Sequence, residues 1–208
     1  MTLQLEIFGL GPFATNTILA WCDETREALL FDPALDAPEV MHVVEKHKLL
    51  PRGIMLTHGH ADHLAGVDWF RNRLGCPIAI GAGDAPMLDD ADLNLSSWLG
   101  VPFTLPPADR LLSHGDKIRC GQLEAEVVHV PGHTPGGIAF VFPTAVIAGD
   151  TLFSGGIGRS DLPGGDGRLL VKVIRERLLT LSDRPVYPGH GPITTLAAEQ
   201  AGNPFLAD

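Results

Sequence analysis

The chain is poor in cysteine and never pairs it. Three cysteines occur in 208 residues, Cys22, Cys76 and Cys120, widely spaced and without a CxxC motif. That argues against a disulfide framework and against cysteine-ligated zinc, and each is expected to be a small buried hydrophobe. Runs of Lys or Arg are also missing, and the formal net charge is −10, so nucleic acid is a poor partner. No apolar stretch approaches the length of a membrane span. The opening Met1-Thr2-Leu3-Gln4-Leu5-Glu6 lacks the basic start of a signal peptide, so a cytoplasmic protein without a membrane partner is expected. The glycine-rich residues 154–167 match neither G-x-G-x-x-G nor the phosphate-binding GxxxxGK[ST], which leaves nucleotide binding unsupported. There is no repeat of twenty to fifty residues and no low-complexity tract. No Ser-His-Asp or Cys-His set suggests nucleophilic catalysis by the protein.

What is present is concentrated at one place. Thr57-His58-Gly59-His60-Ala61-Asp62-His63 puts three of the nine histidines and a carboxylate within six residues, directly after the apolar residues 53–56. Imidazole and carboxylate together suit zinc or iron rather than calcium or magnesium. At an extended strand end, residues i and i+2 point the same way, so His58 and His60 can grip one ion. Asp62 and His63, at the start of a helix, point elsewhere and can serve a second.

The remaining chain reads as layered α/β structure, with one domain expected over residues 1–208. Residues 3–8 alternate as a half-buried strand, and residues 17–21 and 28–31 form a hairpin. Asp32-Pro33 ends the second of these strands. Asp32 is either a turn residue or a carboxylate that orients a ligand histidine. Helices are expected over 37–48, over 61–74 and from Asp166 to about 181, with a short one from about 194. His42 and His47 are expected on a helix surface. Short buried strands over 53–56 and 77–80 belong to the first half. Residues 84–108 read as an irregular connection, of the kind that often faces substrate. In the second half, strands at 117–119, 123–130, 137–142 and 144–148 follow. His133 sits among turn formers at one strand end, Asp150 at another, and His190 follows Pro185-Val186-Tyr187-Pro188-Gly189. Each half thus presents strands and then a strand-end cluster, which suggests two sheets packed face to face with helices outside.

The set His58-x-His60-x-Asp62-His63, followed by His133, Asp150 and His190 and preceded by Asp32, resembles the metallo-β-lactamase superfamily in order and context. The resemblance covers the whole chain and implies an αβ/βα four-layer sandwich with a dinuclear site between its sheets. It implies that His58, His60 and His133 hold one metal and Asp62, His63 and His190 the other. Asp150 would bridge the two, and Asp62 and Asp150 would be the catalytic carboxylates. The implied cofactors are two divalent transition-metal ions per chain, zinc foremost, with iron or manganese as alternatives.

Within the superfamily, Gly149-Asp150-Thr151-Leu152-Phe153 and Tyr187-Pro188-Gly189-His190-Gly191 look like hydroxyacylglutathione hydrolase, glyoxalase II. The stretch from Gly158-Arg159-Ser160-Asp161 to Gly164-Gly165 looks like its short bacterial members. Two departures stand out. Glyoxalase II carries a C-terminal helical domain that binds glutathione, whereas eighteen residues follow His190 here. It also has a tyrosine where this chain has Asp161. The resemblance implies hydrolysis of a small-molecule thioester, S-lactoylglutathione or a related hydroxyacyl thiol, with Arg159 as the cationic substrate contact. The alternative is a glutathione persulfide dioxygenase using a single iron. Neither composition nor motif speaks to oligomeric state.

Overall fold

The computed structural model describes residues 1–207. In chain order the strands and helices are β1 (Leu3–Leu10), β2 (Thr15–Cys22), β3 (Glu27–Phe31), α1 (Pro38–Lys46), β4 (Leu50–Leu56), α2 (Ala61–Leu64), α3 (Val67–Leu74) and β5 (Ile78–Gly81). A 3-10 turn, Ala82–Leu88, follows. Next come β6 (Arg110–Leu112), β7 (Lys117–Cys120), β8 (Leu123–His129), β9 (Ile138–Phe142) and β10 (Ala145–Gly149). The chain closes with β11 (Leu152–Phe153), β12 (Gly156–Ile157), α4 (Gly167–Val173), β13 (Pro185–Pro188), β14 (Thr194–Thr195) and α5 (Leu196–Gly202).

Two six-stranded sheets form, ordered β1-β2-β3-β4-β5-β6 and β14-β13-β10-β9-β8-β7. Their facing sides share a core in which Phe31 meets Phe140 edge-on at 5.0 Å between ring centroids, with Ile18, Met55, Ile118 and Ile147 around them. The outer side of the first sheet packs on α1 and α3 through Val40, Val43 and Phe70. The outer side of the second packs on α4 and the π-turn after it through Leu170, Val173 and Ile174. This is the αβ/βα sandwich. With both faces covered, β2 is buried along its whole length, because alternate side chains all meet apolar neighbours.

The single helix expected over 61–74 is two. Between α2 and α3 the Gly66 N–H donates to Pro33 O at 2.8 Å, and a Cβ at Gly66 would collide with Leu35 O. The chain therefore turns against the loop after β3, which redirects α2 independently of α3. The helix expected from Asp166 is capped by the Asp166 carboxylate, which accepts from Leu169 N, and finishes as a π-turn at Leu178. His47 is half-buried beside Trp21 rather than on the surface, the two rings 5.5 Å apart. All three cysteines are buried and unpaired. Among the described residues no helix is long and apolar enough to cross a membrane.

Candidate metal centre

Asp32, the seven proposed donors and Arg159 lie at one edge of the sandwich. β3, β4 and β5 run parallel, as do β10 and β13, so the loops leaving them emerge together. Two backbone contacts tie the two sheets at that edge: Ile138 N to Thr57 O at 2.8 Å, and Asn16 N to Gly189 O at 2.7 Å, the latter within an isolated bridge between Thr15 and His190.

The donors fall into two adjoining sets. His58, His60 and His133 form one and Asp62, His63 and His190 the other, the potential ligand atoms of each set lying within 4.8 Å of one another. Asp150 lies between them, with Oδ1 3.4 Å from His63 Nε2 and Oδ2 3.5 Å from His190 Nε2 and 3.7 Å from His133 Nε2. Asp32, His58 and His63 also satisfy the same spacing, but there Asp32 contacts the outer nitrogen of the His63 ring. The outer ring nitrogens are all engaged. His63 Nδ1 is 3.0 Å from Asp32 Oδ2, His133 Nδ1 is 2.7 Å from Arg159 O, and His190 Nδ1 is 3.0 Å from Phe13 O. These outward hydrogen bonds aim each Nε2 at the centre, where it would become a lone-pair donor once an ion displaces its proton. His60 is the exception, presenting Nδ1, which lies 2.9 Å from His133 Nε2.

The charge balance of the edge calls for cations. Burial opposes the charged form of His63, yet Asp150 and Asp32 hold its pKa well above the usual value. Burial likewise works against charged His190, but hydrogen bonds to Asp150 and Asp62 lift it to about 10. Asp150 is buried, and the cationic His63 beside it still keeps its carboxyl well below the ordinary range. At the other set, burial and neighbouring histidines keep imidazoles neutral: His58 is pushed well down and His60 to about 3. His58 Nε2 and Asp150 Oδ1 are buried polar atoms without a hydrogen-bond partner, which is costly unless something else satisfies them. Neutral imidazole lone pairs on one side and surplus carboxylate on the other fit a pair of transition-metal ions.

A family model described as the metallo-beta-lactamase superfamily matches residues 10–190. The chain belongs to that superfamily. A probable metallo-hydrolase, YqgX of Bacillus subtilis, is 37% identical over 201 residues, covering 95% of this chain and 94% of the relative. The hydroxyacylglutathione hydrolase GloC of Haemophilus influenzae is 34% identical over 211 residues, covering 98% of each. Among solved structures, the B3 metallo-beta-lactamase BLEG-1 superposes with a TM-score of 0.93 at 37% identity, covering 99% of this chain and 100% of that one. TTHA1623 in a di-iron-bound form superposes at 0.84 with 36% identity, covering 97% and 100%.

In this metallo-beta-lactamase superfamily chain, Asp32 stands just after β3 with a left-handed backbone, φ of +46°. Its carboxylate also accepts from Thr57 N at 2.8 Å and Thr57 Oγ1 at 2.6 Å, and it holds His63. Asp32→Asn is expected to lower metal affinity about ten- to a hundredfold with the fold intact. Calorimetric metal titration of the metal-free protein reads this directly, and unchanged affinity with a lowered Tm would leave Asp32 a turn residue alone.

Sequence reading missed Asp84. It is fully buried in the 3-10 turn, and its carboxylate accepts from Gly59 N at 3.1 Å, Thr134 Oγ1 at 2.6 Å and Gly136 N at 2.6 Å. Gly59 separates His58 from His60, and Thr134 follows His133. One carboxylate therefore ties together the two loops that carry the three-histidine set. Gly136 has to be glycine for this approach, because a Cβ there would collide with the backbone of Gly83 and Asp84.

Proposed function

We propose that the chain is a metal-dependent thioester hydrolase acting on a hydroxyacyl thiol, with S-lactoylglutathione as the reference substrate. One observation carries the reading: six histidine and carboxylate donors form two adjoining sets with Asp150 between them, and five of the seven line a 580 Å³ cleft. The likeness to GloC supports the substrate class. His58, His60 and His133 would hold one divalent ion, Asp62, His63 and His190 the other, with Asp150 between. Ions bound there would lower the pKa of a water toward neutrality and polarise a carbonyl. The protein's share is orientation. Outward hydrogen bonds from His63, His133 and His190 fix the rings. Asp62 and Asp150 are the carboxylates exposed to the cleft, placed to hold the proton released when water adds. A thiolate leaves readily, so no strong general acid is needed.

Arg159 lines the cleft, but its guanidinium is engaged by Asp161 through two hydrogen bonds of 2.8 Å. In this reading it exchanges Asp161 for a substrate carboxylate. Because that pair is exposed and worth little, Arg159→Gln is expected to raise KM about three- to tenfold with kcat nearly unchanged. A neutral thioester is the control, and equal impairment of both substrates would mean that Arg159 only holds its loop.

The reading is tested by elemental analysis together with thioester assays in air and under nitrogen. Two ions per chain with thiol release independent of oxygen support it. A single iron, with oxygen consumed on glutathione persulfide, would assign the dioxygenase chemistry instead.

A further inference from the structure

Beside the main cleft runs a smaller groove of 110 Å³. It shares Phe13, Ala61, Asp62 and Leu99 with the cleft and continues past them to Leu10, Ala34, Leu35 and Phe103. We propose that this groove is a subsite for a short aliphatic arm of the substrate, entered from the Asp62 side of the donor cluster. The proposal rests on the thioester reading for which molecule carries the arm, but not for the existence of the subsite.

Three features of the groove point to an apolar occupant. First, its only polar side chains are Thr15 and Asp62. The Thr15 hydroxyl donates to Asp62 Oδ2 at 3.2 Å, so the polar groups stand at the cluster end and are matched to each other. A polar arm lying farther along would lose water without finding a side-chain partner. Second, Asp62 is its only charged group. A carboxylate-bearing arm meets repulsion there, and Arg159 does not line the groove. Third, its rim keeps large apolar side chains in solvent: Phe13 is 50% exposed, Leu35 46% and Leu99 46%. They come from three separate segments, the β1–β2 turn, the loop after β3, and the irregular connection after β5. Apolar side chains brought from separate segments around one hollow mark a binding surface more than chance exposure does.

The groove also sets a length. At 110 Å³ it is small beside the 580 Å³ cleft, so it takes a short arm and a longer one gains little.

The test uses the metal-loaded protein and two series of thioesters. In one the acyl chain lengthens from acetyl to octanoyl on N-acetylcysteamine. In the other the acyl group stays acetyl and the thiol lengthens from ethanethiol to octanethiol. In one series kcat/KM is expected to rise by up to about fourfold per methylene over the first few carbons, then level off. The series that rises tells which end of the thioester faces the groove. Leu35→Asp puts a charge on the exposed rim without disturbing the core, and is expected to bring the long-to-short ratio toward one. Flat or falling rates in both series, or an unchanged slope in Leu35→Asp, overturn the subsite. If no thioester is turned over at all, the thioester reading fails. The subsite is then decided by calorimetric binding of n-alkanethiols from ethanethiol to hexanethiol. Affinity rising about fourfold per methylene sustains it, and affinity independent of length removes it.

Discussion

Asp150→Ala is expected to leave the protein unable to hold its full complement of metal. Elemental analysis should fall from two ions per chain to clearly less than two, and kcat/KM should drop by well over about a hundredfold. The bound is set by comparison: loss of a partner that merely orients a ligand costs about ten- to a hundredfold, and Asp150 faces both donor sets itself. Its two oxygens lie 3.4 to 3.7 Å from ring nitrogens of His63, His133 and His190. Among the described residues Asp32 also lies near His58 and His63, but it meets His63 at the outer ring nitrogen, and Asp62 contacts His63 and His190 of one set. Removing Asp150 also takes away a principal charge that holds His63 and His190 in their protonated forms. The metal-free variant should therefore show His190 titrating well below its wild-type value, readable by NMR of the ring protons. Retention of two tightly bound ions in Asp150→Ala would falsify the placement of Asp150 between them.

Asp84→Asn is expected to be the most damaging change away from the donors. The carboxylate accepts three hydrogen bonds in a fully buried site. An amide offers one acceptor oxygen and turns an NH2 group toward donors that need an acceptor. Buried donors left unsatisfied cost about 1–3 kcal/mol each, so a loss of about 2–4 kcal/mol is expected. For a chain of this size that lowers Tm by roughly 5–15 °C. A general loss of stability would affect both donor sets alike. Clamp geometry predicts otherwise, because Asp84 holds only the loops of His58, His60 and His133. Titration of the metal-free variant with cobalt should show the first set weakened about ten- to a hundredfold, with Asp62, His63 and His190 little changed. Thr134→Val, which removes one of the three donors, should give a smaller effect of the same kind. Equal weakening of both sets in each variant would reduce Asp84 to a core residue.

The contrast between Asp84 and the histidines shows what kind of feature is legible in a linear chain. His58 and His60 could be paired from spacing because a strand end fixes the direction of residues i and i+2. His133, Asp150 and His190 could be placed at strand ends because glycine and proline punctuate apolar runs there. The layered fold followed from the same alternation of runs and turns. Asp84 has no such local mark. Its hydrogen-bond partners lie 25, 50 and 52 residues away, and only the glycines at 81 and 83 hint that its turn approaches other backbone.

Sequence alone therefore determined the residue types that gather at the edge, their order along the chain and the superfamily to which they belong. Those properties depend on local geometry, which repeats wherever the same short pattern occurs. Tertiary structure decided the rest. It set which ring nitrogens face inward, that Asp32 hydrogen-bonds His63, and that the helix expected over 61–74 breaks where Gly66 meets Pro33. It also decided that Arg159 is held by Asp161, and that Phe13, Leu35 and Leu99 surround one apolar groove. These are contacts between segments far apart in the chain. Their distances follow from how two sheets and their loops pack, a property that no short stretch of residues carries by itself.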